Sequence, residues 1–191
     1  MSTNGSTTVQ GRVEPGWEPV RDAFAANFTE RGDLGAGVAV YHRGQLVVDL
    51  LGGHRDREQT VAYGPDTLQL VFSTTKGMTA VCVALCVQRG WVSPTTRVTE
   101  IWPELGVDVS VEQLLSHQAG LITVEPALSL EQALDWNTVV RGLEGTTPDW
   151  EPGTTHGYHA LTYGWLGGEI VRRSDPQHRG LGRFFAEEVA G

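Results

Sequence analysis

Val71-Phe-Ser-Thr-Thr-Lys-Gly-Met78 is the stretch on which both the fold and the chemistry of this chain turn. A short apolar run, Leu68-Gln-Leu-Val-Phe72, leads directly into Ser73. Beyond it, Met78, Val81, Cys82, Leu85 and Cys86 recur at helical spacing up to Gln88, and Gly90 supplies a stop. The pattern predicts a strand-to-helix entry with Ser73 in the first helical turn. Residues three apart share a helix face, so Lys76 can reach back to the Ser73 hydroxyl. The free N–H groups and positive dipole end of a helix start face an oxygen on which charge would develop. A hydroxyl becomes a nucleophile when a base lies within hydrogen-bond reach, and Lys76 is the candidate. It is the only lysine among 14 basic residues, the rest being arginine. Taken alone, a Ser-x-x-Lys spacing is also what a serine helix cap followed by a solvent-reaching lysine looks like.

A second motif adds weight. Trp150-Glu-Pro-Gly-Thr-Thr-His-Gly-Tyr158-His-Ala-Leu-Thr-Tyr163-Gly-Trp-Leu-Gly167 sets a tyrosine soon after a Pro-Gly turn and just before an apolar helix. A phenol beside a cation can lose its proton and act as a general base, or relay a proton to a leaving group.

Around these motifs the chain reads as one helix, a hairpin, and then mostly helices. Residues 1–14 are polar, rich in Ser, Thr and Gly, and expected to be disordered. They carry neither the basic segment nor the apolar segment of a secretion signal. Trp17, Val20, Phe24 and Phe28 predict a helix from Pro15 to Gly32. Residues 37–41 and 46–51 predict two strands joined at His42-Arg-Gly-Gln45. Ser110-Val-Glu-Gln113 is a capping box that opens a short helix. Helices are expected over 128–144 with a break near Asn137, over 160–173, and from Leu181 onward. Two strands do not make a stable sheet alone, so either helices bury the hairpin or further strands pair with it. The whole of residues 15–191 is expected to form one domain.

Composition excludes several classes. The 191 residues carry a net charge of −9, and the longest basic run is Arg172-Arg173. Nothing supplies a phosphate-neutralising face, so neither a nucleic acid nor an anionic membrane is expected as partner. No stretch approaches the roughly 18 apolar residues of a membrane span, and a cytoplasmic location is the expectation. There are 24 glycines, nearly double the usual share of about 7%. Without a triplet period they mark turns and close backbone approaches. Cys82 and Cys86, one helical turn apart, fit disulfide geometry poorly and read as small buried hydrophobes. His156-Gly-Tyr-His159 lacks an acidic neighbour that would complete a metal site. There is no Gly-x-Ser-x-Gly elbow, and neither Gly35-Ala-Gly37 nor Gly180-Leu-Gly182 continues into a nucleotide loop. No metal and no cofactor is expected.

Taken together, the 71–78 string, Val111-Glu-Gln-Leu-Leu-Ser-His-Gln-Ala-Gly-Leu121 and the 150–167 string resemble the serine β-lactamase-like superfamily. The resemblance is to class C β-lactamase-like esterases (family VIII carboxylesterases) and to D-alanyl-D-alanine carboxypeptidases. It implies an α+β fold of the β-lactamase/transpeptidase type: an antiparallel sheet flanked by helices, plus a mostly helical lobe. The later strands of that fold are expected to lie outside this chain, which resembles an N-terminal half.

The resemblance further implies Ser73 as the acylated nucleophile, Lys76 as its activator and Tyr158 as the third catalytic member. Phe72 and His159 flank these residues and are expected to touch substrate, while His117 is expected to be structural. Two departures bear on specificity. The asparagine of the family's Tyr-x-Asn motif is Ala160 here, and Trp165-Leu-Gly167 matches the family's third motif only in letters, lying seven residues after Tyr158. Loss of the amide favours simple short-chain esters over β-lactams and peptides. The expected function is therefore an acyl-enzyme carboxylesterase with a small-molecule ester substrate and a complementary C-terminal segment. A β-lactamase, a D-alanyl-D-alanine carboxypeptidase and a catalytically silent binding protein are the alternatives.

Overall fold

The computed structural model describes residues 9–191, which divide into two compact units with the boundary between Leu70 and Val71. The hairpin of the first unit is dictated by its turn. Arg43 and Gly44 both adopt positive φ, 50° and 79°, as a two-residue turn of the I′ type requires. This turn joins strands β2 (Gly35–His42) and β3 (Gln45–Gly53), paired antiparallel with His42 opposite Gln45.

A third strand corrects the expectation of disorder at the start. β1 (Val9–Val13) pairs antiparallel with β3, Val13 opposite Val48, giving the sheet order β1-β3-β2. Residues 1–8 lie outside the described residues. Polar Gln10 and Arg12 alternate with Val9, Gly11 and Val13, so this strand exposes most of its side chains and composition disguises it. Helix α1 (Glu18–Glu30) starts later than Pro15 because Gly16 and Trp17 form the entering turn, with the Gly16 N–H donating to Glu18 Oε2 at 2.8 Å. Phe24 is buried with Val47, Val48 and Leu50, and Phe28 meets it edge-on. A Cβ on Gly52 would stand 2.9 Å from the Phe28 ring, so a glycine is what lets α1 lie close to β3.

The second unit is helical: α2 (Thr74–Gln88), α3 (Val98–Ile101), a 3₁₀ turn at Pro103–Leu105, α4 (Val111–Leu115), α5 (Leu130–Ala133), α6 (Trp136–Gly145), α7 (Tyr163–Ser174) and α8 (Leu181–Glu188). The Ser110 capping box forms as expected, Ser110 Oγ accepting from Gln113 N–H and the Gln113 side chain accepting from Ser110 N–H. The break between α5 and α6 falls at Leu134-Asp135 rather than at Asn137, because Asp135 caps α6 by accepting the Thr138 N–H at 2.7 Å.

Helix α2 turns a different face inward from the one its apolar spacing suggests. Thr79, Cys82, Val83 and Cys86 are buried, whereas Met78 and Val81 are 39% and 41% exposed. The reason is α7, which packs along α2 so tightly that a Cβ on Gly167 would meet Thr79 Cγ2 at 2.7 Å. Both cysteines are free thiols in the core, and burial pushes their pKa up, that of Cys86 to about 11. Trp102, Leu114, Leu121, Leu143, Ile170 and Phe184 complete this core.

Two buried carboxylates anchor α7 and its connection to α8. Glu169, fully buried, accepts from Arg172, Arg173 and Trp136 Nε1. Burial raises its pKa, but these bonds outweigh burial and hold it below the ordinary range. Asp175 accepts from Arg179, whose guanidinium also reaches Glu187 and Glu188 of α8. Chiefly through that arginine, the Asp175 pKa falls to about 2.

Candidate active site

Ser73 occupies the N-cap of α2, yet its hydroxyl makes no cap hydrogen bond. The first turn is instead closed through the backbone, Lys76 N–H donating to Ser73 O and Thr75 N–H to Phe72 O, both at 3.0 Å. That leaves Oγ free, which argues against the plain helix-cap alternative. Residues 68–72 form no strand. Val71 and Phe72 are exposed, and Phe72 holds a positive φ of 44°. A left-handed phenylalanine costs on the order of 1–3 kcal/mol, and such strain recurs where a side chain must be presented at a sharp turn. Here the residue so presented is Ser73. Its own N–H donates to no group among the described residues, which leaves it available to an oxyanion.

Two groups converge on the Ser73 oxygen. Tyr158 Oη lies 2.5 Å from Oγ and Lys76 Nζ 3.3 Å from it. Lys76 Nζ also donates to the Ala160 carbonyl at 2.7 Å and sits 4.7 Å from the centre of the Tyr158 ring. The hydrogen bond with Ser73 lowers the Tyr158 pKa most, and the Lys76 ammonium adds to this by favouring the phenolate. Hydroxyl, phenol and amine are thus within hydrogen-bond reach of one another, Ser73 Oγ being their common partner.

The segment bearing Tyr158 is irregular, and the start of α7 shifts accordingly. The helix expected from Ala160 begins at Tyr163, so the Ala160 carbonyl is not consumed by the helix and is available to Lys76. No local pattern of residue types marks this backbone ligand. His117 shares the task of shaping the segment, as expected of a structural residue: its carbonyl accepts the Gly157 N–H and its ring Nδ1 the His159 N–H.

His159 is a correction. It is fully buried, its Nε2 accepting the Leu121 N–H at 3.1 Å and its Nδ1 donating to Gly157 O at 2.7 Å. With both ring nitrogens committed to the backbone, it braces the loop beneath Tyr158 and does not face substrate. Phe72, by contrast, lines the cavity at Ser73, a space of about 570 Å³. Leu134, Trp136, Leu161, Trp165 and Leu181 form its apolar walls; in the sequence Trp165 stands out only for its letter match to the third motif, and none of the five is assigned to the site. A strong apolar wall with a few convergent polar groups is the usual build of a small-molecule site.

A family profile for Beta-lactamase matches residues 20–191. This chain belongs to the beta-lactamase family. Among curated relatives, the Esterase/beta-lactamase LipL of Mycobacterium tuberculosis (strain ATCC 25618 / H37Rv) is 35% identical over 186 residues, 95% of this chain and 42% of the relative. The crystal structure of a family VIII carboxylesterase superposes with a TM-score of 0.90 at 39% identity, covering 96% of this chain and 51% of that one. A penicillin-binding protein homolog from Caulobacter crescentus gives a TM-score of 0.89 at 37% identity, over 96% of this chain and 50% of that one. The chain thus spans about half the length of the family members it matches. Its α+β architecture is theirs, and Trp165-Leu166-Gly167 lies on α7, with Gly167 against Thr79, rather than on a strand.

Proposed function

We propose that this chain carries the nucleophile and proton-transfer groups of a serine carboxylesterase. The observation that carries this is the convergence of Tyr158 Oη and Lys76 Nζ on Ser73 Oγ. In the acylation step, Oγ bonds to the ester carbonyl carbon and its proton passes to the Tyr158–Lys76 pair. The tetrahedral oxyanion is held by the Ser73 N–H. Collapse breaks the bond to the alkoxy oxygen, which takes the proton and leaves as alcohol. Water then repeats the sequence, releasing the carboxylic acid and free Ser73.

Ester is preferred over β-lactam or peptide because of Ala160. Its side chain is a methyl group, and its carbonyl is engaged by Lys76. No amide is offered there to a substrate's acylamino group, and an unpaired polar group on a bound substrate is costly. Phe72 serves as an apolar wall for the ester. The names of the relatives, an esterase/beta-lactamase and a family VIII carboxylesterase, agree with this assignment.

The partner in the same proposal is a complementary segment that adds to the sheet and to the site. Its support is that β1 and β2 each have one edge unpaired among the described residues, and that family members are about twice as long. No helix among the described residues is long and apolar enough to cross a membrane.

The test is treatment with a p-nitrophenyl alkylphosphonate, with the adduct mapped by mass spectrometry, alongside p-nitrophenyl acetate turnover. The adduct is expected on Ser73 and is lost in Ser73→Ala. Labelling of another serine sinks the assignment, and a folded protein that takes no label supports the silent binding alternative.

A further inference from the structure

The cavity at Ser73 is not the end of the apolar space. A second, half-open cleft of about 250 Å³ adjoins it, lined mainly by Ile122, Val124, Leu128 and Val139. The two spaces have three lining residues in common: Ala133, Leu161 and Trp165. These residues come from α5, from the turn before α7 and from α7 itself. They are held to different degrees. Trp136 is fixed by its Nε1–H bond to buried Glu169, 3.0 Å, and its ring lies 6.4 Å from that of Trp165. Trp165 thus leans on an anchored neighbour, and Leu161 is 76% exposed at the rim.

Resting on the ester-hydrolase reading above, we propose that Ala133, Leu161 and Trp165 form a partition that sets the length of alkyl chain this site accepts. With the partition closed, an alkyl chain on Ser73-bound ester fills only the first chamber. A longer chain passes the Trp165 ring and the Leu161 side chain, which line both spaces, to reach the second. Its walls are mainly apolar, so each further methylene that leaves water there is favourable. The ligand chemistry is an unbranched alkyl group, carried by either the acyl or the alcohol portion of the ester.

The test compares wild-type protein with Trp165→Ala, Leu161→Ala and Ala133→Phe. One arm uses p-nitrophenyl esters from acetate to dodecanoate, the other alkyl acetates from methyl to decyl. Ser73 phosphonate labelling is followed in the same preparations. Trp165→Ala and Leu161→Ala are expected to move the kcat/KM optimum to longer chains. The ratio of long- to short-chain kcat/KM should rise at least about ten-fold, the scale of a methylene misfit in an apolar pocket. Ala133→Phe should move the optimum the opposite way. The arm that shifts shows which portion of the ester occupies the chambers. If Ser73 is labelled but the optimum is unchanged in both arms and all three variants, the partition is overturned and the esterase stands. If Ser73 is never labelled, both fall.

Discussion

His117 brackets Tyr158 from both sides: its carbonyl accepts the Gly157 N–H and its ring Nδ1 the His159 N–H, each at 3.1 Å. One residue, itself held at a φ of 65°, therefore fixes the peptide groups before and after the phenol. The position of Tyr158 against Ser73 depends on a neutral imidazole, because a protonated Nδ1 is no longer an acceptor.

Acid should loosen this arrangement. Burial, then His159, Lys76 and His156, push the His117 pKa below its usual 6.5, and burial does the same to His159. In the unfolded chain both take up protons near the usual value, so the unfolded state binds more protons as pH falls. The stabilisation is complete above about pH 6.5 and is lost as pH drops through the lower folded values. Thermal melts between about pH 5 and 8 should show Tm falling on the acid side, with a smaller fall in His117→Asn. A Tm indifferent to pH over this range would contradict the bracket.

Lys76→Arg should be nearly as damaging as Lys76→Ala, each costing on the order of 10³-fold in kcat. A guanidinium does not give up its proton near neutral pH, and it does not replace, atom for atom, the single ammonium that bonds both Ser73 Oγ and the Ala160 carbonyl. Tyr158→Phe should lose a similar factor, and Lys76→Ala with Tyr158→Phe little more than either alone. Tyr163, buried with its ring against His117, should tolerate Phe with most activity kept. An active Lys76→Arg variant, read by ester hydrolysis, would remove lysine from the proton path.

Ester turnover should exceed cephalosporin turnover by a wide margin, since Ala160 presents no side-chain amide. Parallel kcat/KM values for p-nitrophenyl butyrate and nitrocefin decide this. Comparable values would return the β-lactamase alternative to first place.

Glu169→Ala should destabilise the second unit by about 1–3 kcal/mol, since Arg172, Arg173 and the Trp136 N–H lose their shared acceptor, the arginines being partly exposed. The same change frees Trp136, whose indole N–H is held by Glu169. Denaturant unfolding measures the first effect, and a broadened ester chain-length profile reports the second. Unchanged stability would mean that Glu104 and Glu144 suffice as partners for Arg173.

The features legible in the sequence are those whose causes are local. The Arg43-Gly44 turn, the Ser110 capping box and the i, i+3 relation of Ser73 and Lys76 each arise from a few consecutive residues obeying one backbone geometry. Helix and strand periods act over similarly short spans, so the hairpin, α2 and α7 could be placed within a few residues. Tertiary structure decided everything that required distant segments to meet. Tyr158 reaches Ser73 across 85 residues of chain, and the Ala160 carbonyl reaches Lys76 across 84. His159 went from expected substrate contact to buried brace because Leu121 and His117 arrive against it. β1 became a strand because β3 offered a free edge, and the inner face of α2 was set by the closeness of Gly167 to Thr79. Local propensity describes what a segment can be, whereas burial and hydrogen-bond partners from elsewhere in the chain select which of its groups face the core, the site or water.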